Sequence, residues 1–328
     1  MELKRLIAEE AAKIDLVMRQ DIDGLAERFD PLLIEILDYG LFSGGKRIRP
    51  FLATAAARLC GSSDEGVYRL ASSFEYLHGA TLIHDDVIDN AGERRGSPSV
   101  FKHFGLAEAI LAGDFLHAHS MSLISRYGGP GALSIFCQAT AAMVDGEYRQ
   151  LRNAQNMDQS EADYFTVVEG KTALLIGAAC EIGGLYGGAD QSLRKGLKTY
   201  GINLGSAFQI IDDLLDYRGA ASNTGKTVGN DLAEGKVTLP LIYTLQRADQ
   251  KDRRELLTIL KDPQKRAQAL PEVSALIDRY RGFEDARKKA ETIMSQALLA
   301  LPAVDSEDGQ HGRTVFKALG DYVLKRDR

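Results

Sequence analysis

The sequence predicts an all-α fold, a single-domain orthogonal helix bundle, and three observations carry that expectation. Apolar residues recur at spacings of three and four along nearly all of the 328 residues. Alternation of period two is not sustained anywhere. Glycine and proline cluster between the periodic runs. At 45% hydrophobic the chain has ample material for a large core. No long linker or low-complexity block separates its halves, so residues 1–328 read as one domain.

Taken in order, residues 3–22 carry Leu3, Ile7, Ala11, Ile14 and Met18 on one helical face. The same period predicts helices over 31–42, 49–60, 66–89, 106–126, 131–152, 161–183, 190–217, 232–248, 252–261 and 283–301, and a last one over about 312–325. The breaks fall at Gly61, Gly92 to Pro98, Gly128-Gly129-Pro130, Gly187-Gly188 and Gly219 to Gly229. Many helices are apolar over wide arcs, which places them centrally.

The formal charge of −6 gives no basic surface for a nucleic acid, so none is expected as a partner. Cys60, Cys137 and Cys180 have no metal-ligand spacing and read as reduced, buried thiols. Glu2-Leu3-Lys4-Arg5 has no apolar signal core behind it. No run approaches the ~18 apolar residues that span a bilayer. The expectation is a soluble, cytoplasmic protein that can still touch a membrane surface.

Two copies of D-D-x-x-D dominate the chain: Asp85-Asp86-Val87-Ile88-Asp89 and Asp212-Asp213-Leu214-Leu215-Asp216. Asp85 and Asp89 share a helical face, which continues backward through Thr81 to His78. Gln209, Asp212, Asp213 and Asp216 form one continuous stripe. Like charges at this spacing repel. A solvated acidic face is the plain alternative, but Leu82, Ile83, Val87, Ile88, Ile210, Ile211, Leu214 and Leu215 surround the acids. Desolvated carboxylates call for a cation. An oxygen-only donor set suits Mg²⁺, held between two facing helices. No His/Cys cluster favours Zn²⁺. His84-Asp85 is superficially like a phosphohydrolase pair, a reading that leaves the second stripe unexplained.

Cations follow each stripe. Arg94-Arg95-Gly96 comes after the first, and Gly225-Lys226 to Gly235-Lys236 after the second. Gly44-Gly45-Lys46-Arg47-Ile48-Arg49-Pro50 lies upstream and Lys171-Thr172 midway. Arginine offers phosphate a fork of donors, lysine a mobile charge. Glycine lets backbone N–H groups come close to oxygen. Gly40 to Lys46 matches the spacing of a nucleotide phosphate loop, but Arg47 stands where Ser or Thr is required and no strand precedes it. These segments read as parts of a diphosphate site.

In this order and register the segments resemble the trans-isoprenyl diphosphate synthases, the polyprenyl synthetases, over roughly residues 40–240. The quoted motifs are Gly44 to Pro50, Leu82 to Asp89 with Arg94-Arg95-Gly96, Lys171-Thr172-Ala173, Phe208 to Asp216, and Gly225-Lys226 to Gly235-Lys236. The ending Leu324-Lys325-Arg326-Asp327-Arg328 is similar to long-chain members such as octaprenyl diphosphate synthase. The resemblance implies an isoprenoid-synthase bundle around a deep central cavity, and a homodimer. It implies Mg²⁺ on Asp85, Asp89 and Asp212, with Asp86, Asp213 and Asp216 in support. Arg94, Lys171, Thr172, Gln209, Lys226 and Lys236 would hold an allylic diphosphate. Lys46, Arg49, His78 and Arg95 would hold isopentenyl diphosphate.

The implied reaction is head-to-tail condensation of these two substrates, releasing diphosphate, with Lys171 and the six aspartates as its catalytic set. Product grows down the helix that carries Asp85. In the family, bulky aromatics just before the first aspartate motif give short products. Here Leu77, Ala80 and Thr81 leave that floor open, which implies a long all-trans chain that contacts a membrane surface transiently on release. Phe74, Tyr76, Met121 or Leu123 offer a deeper floor. The rivals are a shorter-chain synthase, a terpene cyclase, which lacks the second-substrate site, and a non-catalytic regulatory subunit, which predicts degraded motifs. Lys325, Arg326 and Arg328 read by default as a frayed basic tail, with a lid folded over the site as the alternative.

Overall fold

The computed structural model describes residues 3–153, 156–218, 228–304 and 306–326. As expected, the fold is all-α. Helices α1 (Leu3–Ala26), α2 (Pro31–Leu41), α3 (Ile48–Leu59), α4 (Val67–Ile88) and α5 (Val100–His103) lead to the long α6 (Leu106–Asn153). Then come α7 (Glu161–Val168), a π-helical turn (Glu169–Ala173), α8 (Leu174–Tyr186), α9 (Gln191–Arg218) and α10 (Asn230–Glu234). The chain continues through α11 (Leu239–Arg247), α12 (Gln250–Lys261), α13 (Pro263–Arg266), α14 (Leu270–Arg279), α15 (Gly282–Ala300) and α16 (Glu307–Leu324). Among the described residues the only strands are Glu93–Arg94 and Ser97–Pro98, a two-residue antiparallel pair. No described helix is long and apolar enough to cross a membrane.

The fold falls into two compact units, each drawn from three separate stretches. The first takes the chain up to Gln138, then Ala178–Lys198 and Pro302–Phe316. In it α1 packs on α3 and α4, and α3 packs on α4. Ile7, Ile14, Met18, Ile22 and Leu25 form the buried face of α1, as their spacing predicts. Asp30 caps α2 by accepting from the Leu32 N–H, and Pro31 opens that helix where no amide donor is needed. Alanines 53, 55, 56 and 57 keep α3 slim enough for close neighbours. A β-carbon on Gly183 would come 2.2 Å from the Ala53 carbonyl oxygen, so α8 meets α3 backbone to backbone. One buried polar cluster in this unit is paired: Tyr68 donates to Glu10 at 2.8 Å, and Arg58 sits 3.0 Å from the same carboxylate.

The second unit comprises Ala139–Gly177, Thr199–Leu301 and the chain from Lys317 onward. Ser160 and Asp163 close a capping box at the start of α7. Helix α11, with Pro240 in its first turn, packs on α15. Leu241, Ile242 and Leu245 lie buried there with Phe283, Ala286, Ala290 and Met294.

Boundaries agree with expectation in places and differ at instructive ones. The two helices expected at 106–126 and 131–152 do meet at a break, at Gly129 within the expected Gly128-Gly129-Pro130 segment, and α6 is these two helices joined across a kink. There φ is 72°, a conformation suited to glycine, and Pro130 follows directly. The predicted helix 232–248 is split after Glu234 by Gly235, whose φ is 83°. Helix α14 is absent from the sequence expectation, because its Val273, Leu276 and Ile277 make too short a periodic run.

The π-helical turn is held by a close crossing within the second unit. A β-carbon on Gly146 would come 2.7 Å from the Lys171 backbone N, and one on Gly170 2.9 Å from the Ala142 carbonyl oxygen. Gly146→Ala is therefore expected to destabilise. Alanine gains ~1 kcal/mol over glycine in a helix interior, but overlap with rigid backbone costs about 1–3 kcal/mol. Denaturant unfolding checks this; a midpoint that rises would show that the crossing tolerates a side chain.

Candidate active site

In the first unit the site is built on the end of α4. Asp85 and Asp86 lie in its last turn and Asp89 caps it, the Asp89 N–H bonding to the Asp85 carbonyl at 2.8 Å. Three carboxylates at a helix C-terminus oppose the helix dipole. Their background is less apolar than the sequence implied: Ile83 is buried, but Ile88 is 52% exposed because the helix ends there. Asp86 is 2% exposed, so its charge needs a partner. The short hairpin supplies Arg94, whose Nε lies 2.9 and 2.8 Å from the two Asp86 oxygens and whose Nη2 lies 2.6 Å from Oδ1. Arg94 thus braces the acidic motif, and its Nη1 takes no part in that contact.

The Ser43 to Pro50 segment builds a cationic wall. Gly44 and Gly45 have φ of 107° and 136°. A β-carbon on Gly45 would stand 3.3 Å from Arg47 Nη1 and 3.4 Å from both terminal nitrogens of Arg95. Glycine there lets two guanidiniums crowd the backbone, and Arg95 donates to the Gly44 carbonyl. Arg47 turns inward. It donates from Nε to Asp15 at 2.7 Å, from Nη1 to Glu75 at 2.7 Å and from Nη2 to the Leu41 carbonyl at 2.8 Å.

Arg49 differs from Arg47. It is half-buried, and the loss of water around it holds its pKa below the usual arginine value, which Glu75 offsets only in part. Its Nε has no hydrogen-bond partner among the described residues. Burial, together with the charge of Arg47, likewise lowers Arg95. His78 keeps some accessible surface but lies among protein atoms. Burial, then the charges of Arg49, Arg95, Arg94 and Arg47, push its pKa well below 6.5, so it is neutral at pH 7. Cations crowded past their local counter-charge, one with an unpartnered donor, fit an anion. Lys46 is exposed at the edge of this segment.

On the Asp85 face, Thr81 lies one turn below, its hydroxyl donating to the His78 carbonyl at 2.8 Å. Leu77 follows, then Phe74, fully buried and edge-on to Phe136 with ring centroids 5.3 Å apart. Ala80 is 3% exposed and belongs to the core that includes Tyr76, Ile83, Val100 and Leu116. It sits roughly 140° around the helix from Asp85.

In the second unit the acidic stripe runs along α9. Asp213 is 3% exposed, accepting from Tyr164 at 2.7 Å and from Gln209 at 2.9 Å. Burial, then the charge of Asp231, pushes its pKa well above the usual carboxylate range. Thr172 donates to Gln209 at 3.3 Å, so the π-helical turn and the stripe form one chain of hydrogen bonds. π-Helical turns recur at functional sites because they re-aim side chains. Here the turn aims Lys171 at Glu147 and Gln150. Asp216 accepts from the Asn230 and Asp231 amides at 3.2 and 3.0 Å, fixing the start of α10. Lys236 pairs with Asp231 at 3.2 Å and Glu234 at 2.6 Å. Burial opposes its charge, yet those two acids hold its pKa above the ordinary lysine value. Lys226 lies outside the described residues.

Arg326 is an unexpected member. The sequence reading treated the basic end as a frayed tail, but Arg326 Nη1 lies 2.6 Å from Asp212 Oδ1, with its guanidinium 4.5 Å from the Phe208 ring centroid. Tyr164 was also missed, since nothing in Asp163-Tyr164-Phe165 distinguishes it from ordinary core. No three His, Cys, Asp or Glu side chains among the described residues converge on one point by themselves. The donors available at Asp85, Asp89 and Asp212 are all hard carboxylate oxygens.

The polyprenyl synthetase family model matches residues 30–277. The chain belongs to the polyprenyl synthetase family. It is 33% identical to octaprenyl diphosphate synthase of Escherichia coli over 328 residues, covering 100% of this chain and 99% of that one. Its fold matches a decaprenyl diphosphate synthase from Rhodobacter capsulatus with a TM-score of 0.89 at 35% identity, over 99% of this chain and 98% of that one. A polyprenyl synthase from Caulobacter crescentus, complexed with calcium and isoprenyl diphosphate, gives 0.88 at 32% identity over 100% and 98%.

His78 gives a pH signature. Its folded pKa is depressed, so the stability it confers is present above the unfolded value of about 6.5 and lost as pH falls below it, at up to about 1.4 kcal/mol per pH unit. His78→Gln is expected to flatten the stability profile between pH 7 and pH 5. Denaturant unfolding across that range measures the slope; equal slopes for both proteins would exclude a buried neutral imidazole.

Proposed function

We propose that the chain is a Mg²⁺-dependent prenyltransferase that condenses isopentenyl diphosphate with an allylic diphosphate, head to tail, to build a long all-trans polyprenyl diphosphate. The observation that carries this reading is the half-buried Arg49, whose buried Nε has no partner among the described residues, near neutral His78 and crowded Arg95. Such a site takes a second anion besides the one associated with the aspartates, and a second diphosphate makes the reaction a condensation. The whole chain acts as one catalytic domain, as a homodimer in the cytoplasm, with transient membrane-surface contact as the product lengthens.

Lys46, Arg49, His78 and Arg95 hold isopentenyl diphosphate. His78, being neutral, donates one N–H without adding charge. Arg94 reaches the allylic diphosphate through Nη1 while Asp86 steadies the rest of its guanidinium. Lys171, Thr172, Gln209, Lys226 and Lys236 bind the same group, Lys171 and Lys236 exchanging carboxylate partners for phosphate oxygens. Asp85, Asp89 and Asp212 hold the metal, while Asp86, Asp213 and Asp216 orient the helices that carry them. Bound Mg²⁺ neutralises charge on the departing diphosphate. The fixed cations favour the same charge separation, which is electrostatic stabilisation of the leaving group. As the allylic C–O bond breaks, the alkene of isopentenyl diphosphate bonds to the allylic carbon. The released diphosphate is the base that accepts the proton whose loss restores a double bond. Positioning the two substrates, and keeping water from the carbocation, are the protein's remaining tasks.

The growing chain extends along the Asp85 face past Thr81. Purified protein supplied with Mg²⁺, farnesyl diphosphate and isopentenyl diphosphate should yield products beyond the farnesyl length, and none when isopentenyl diphosphate is omitted. Turnover without it would favour a cyclase, and inactivity until another subunit is added would favour a regulatory role. Thr81→Phe should shorten the products, as chromatography would show. Ala80→Phe is the less clean probe, because overfilling a core position costs about 1–3 kcal/mol. Unchanged product length in a folded Thr81→Phe protein would remove Thr81 from the chain's path.

A further inference from the structure

The end of the chain is anchored. Helix α16 finishes at Leu324, whose carbonyl accepts from Arg287. The Lys325 N–H bonds to the Asp321 carbonyl at 3.1 Å, and Arg326 N–H to that of Val323 at 3.4 Å. Val323 itself is buried. Behind this turn, Gly320 lies against Met294 of α15. The backbone at Arg326 is therefore held in place.

Its guanidinium has two neighbours one turn apart on α9, the Phe208 ring and the Asp212 carboxylate. Stacking and ion pairing use different parts of the planar group, so both operate together. The Arg326 side chain is 21% exposed and that of Asp212 40%. The neighbouring acids are satisfied differently, Asp213 by Tyr164 and Gln209, and Asp216 by two backbone amides. Arg326 thus places a positive charge on the one acid of this stripe assigned as a direct metal ligand.

We propose that Arg326 is an intramolecular stand-in for the metal. It neutralises Asp212 in the metal-free enzyme and leaves the carboxylate when a divalent ion binds. The inference rests on the reading of Asp212 as a metal ligand. A guanidinium 2.6 Å from Oδ1 repels a divalent ion that approaches the same carboxylate. Binding of the ion therefore favours departure of the arginine, and apparent metal affinity is scaled down to the fraction of molecules in which the pair is open. For a partly exposed pair reinforced by ring stacking, that reduction is about fivefold. The C-terminal arginine then sets the metal concentration at which the enzyme becomes competent.

The test is Mn²⁺ binding to the full-length protein, followed by electron paramagnetic resonance of the free ion, so that no turnover is needed. Arg326→Gln should bind Mn²⁺ about fivefold more tightly than wild type. Phe208→Leu should shift affinity in the same direction, because it removes the stacking and leaves Asp212 intact. Asp212→Asn should abolish the affected site. Hydrogen exchange in the last turn of α16 should quicken when Mn²⁺ is added to wild type, and stay constant in Asp212→Asn. Unchanged or weaker Mn²⁺ binding by Arg326→Gln, with the Asp212→Asn loss intact, overturns the stand-in and leaves the metal assignment standing. Mn²⁺ binding that survives Asp212→Asn undiminished overturns both. Circular dichroism melting confirms that each variant is folded.

Discussion

The structure depends on how it accommodates carboxylates away from bulk water. Asp86 illustrates the constraint: it is buried at the end of α4, where the helix dipole is unfavourable, and the three contacts from Arg94 compensate it. That one pairing ties the hairpin to the helix and sets the position of Arg95 beside the Gly44-Gly45 backbone. It also leaves Asp85 and Asp89 at the rim of the same helix end. In the second unit the constraint is met differently. Asp213 is satisfied by neutral donors and its pKa is raised by burial and neighbouring charge, whereas Asp216 becomes the cap of α10. Within each D-D-x-x-D motif the acids are placed differently: Asp86, Asp213 and Asp216 are tied to partners that position helices, while Asp85, Asp89 and Asp212 keep accessible surface.

The cationic wall follows the same logic with the sign reversed. Arg47 resembles its neighbours in sequence, yet it turns into the core and serves Asp15, Glu75 and the Leu41 carbonyl. Its left-handed backbone, φ 49°, sends adjacent side chains in different directions. Arg49 stays half-buried with its Nε unpartnered among the described residues, and burial, then the Arg49 charge, keeps His78 neutral. Such a site is costly when empty and favourable when an anion arrives, which is how binding energy becomes available for positioning a substrate.

The fold class was legible because a period of three to four persists along the chain, and nearly every long helix appeared in the sequence close to its observed limits. Legibility failed where tertiary packing overrides local pattern. Helix α14 has three buried positions, too few for a period to register. In the site, the aspartates, Arg94, Arg95 and the Gly44-Gly45 loop were evident from spacing and charge. The partners that decide what each one does were not. Tyr164 beneath Asp213 and Arg326 on Asp212 lie 49 and 114 residues from their partners in sequence, and no local signal links them. The sequence reading took Arg94 for a phosphate ligand and gave no sign that it is the counter-ion of Asp86.

The central claim is that this fold carries two separate anion sites, one served by the aspartates and one by Arg49. Steady-state kinetics of Arg49→Met, with the two substrates varied in turn, tests it most directly. The account predicts that KM for isopentenyl diphosphate rises by about tenfold or more, as expected for losing a charged hydrogen-bond donor, while KM for the allylic substrate stays within about twofold, less than half a kcal/mol. A rise confined to the allylic substrate, or no change in either, would contradict it.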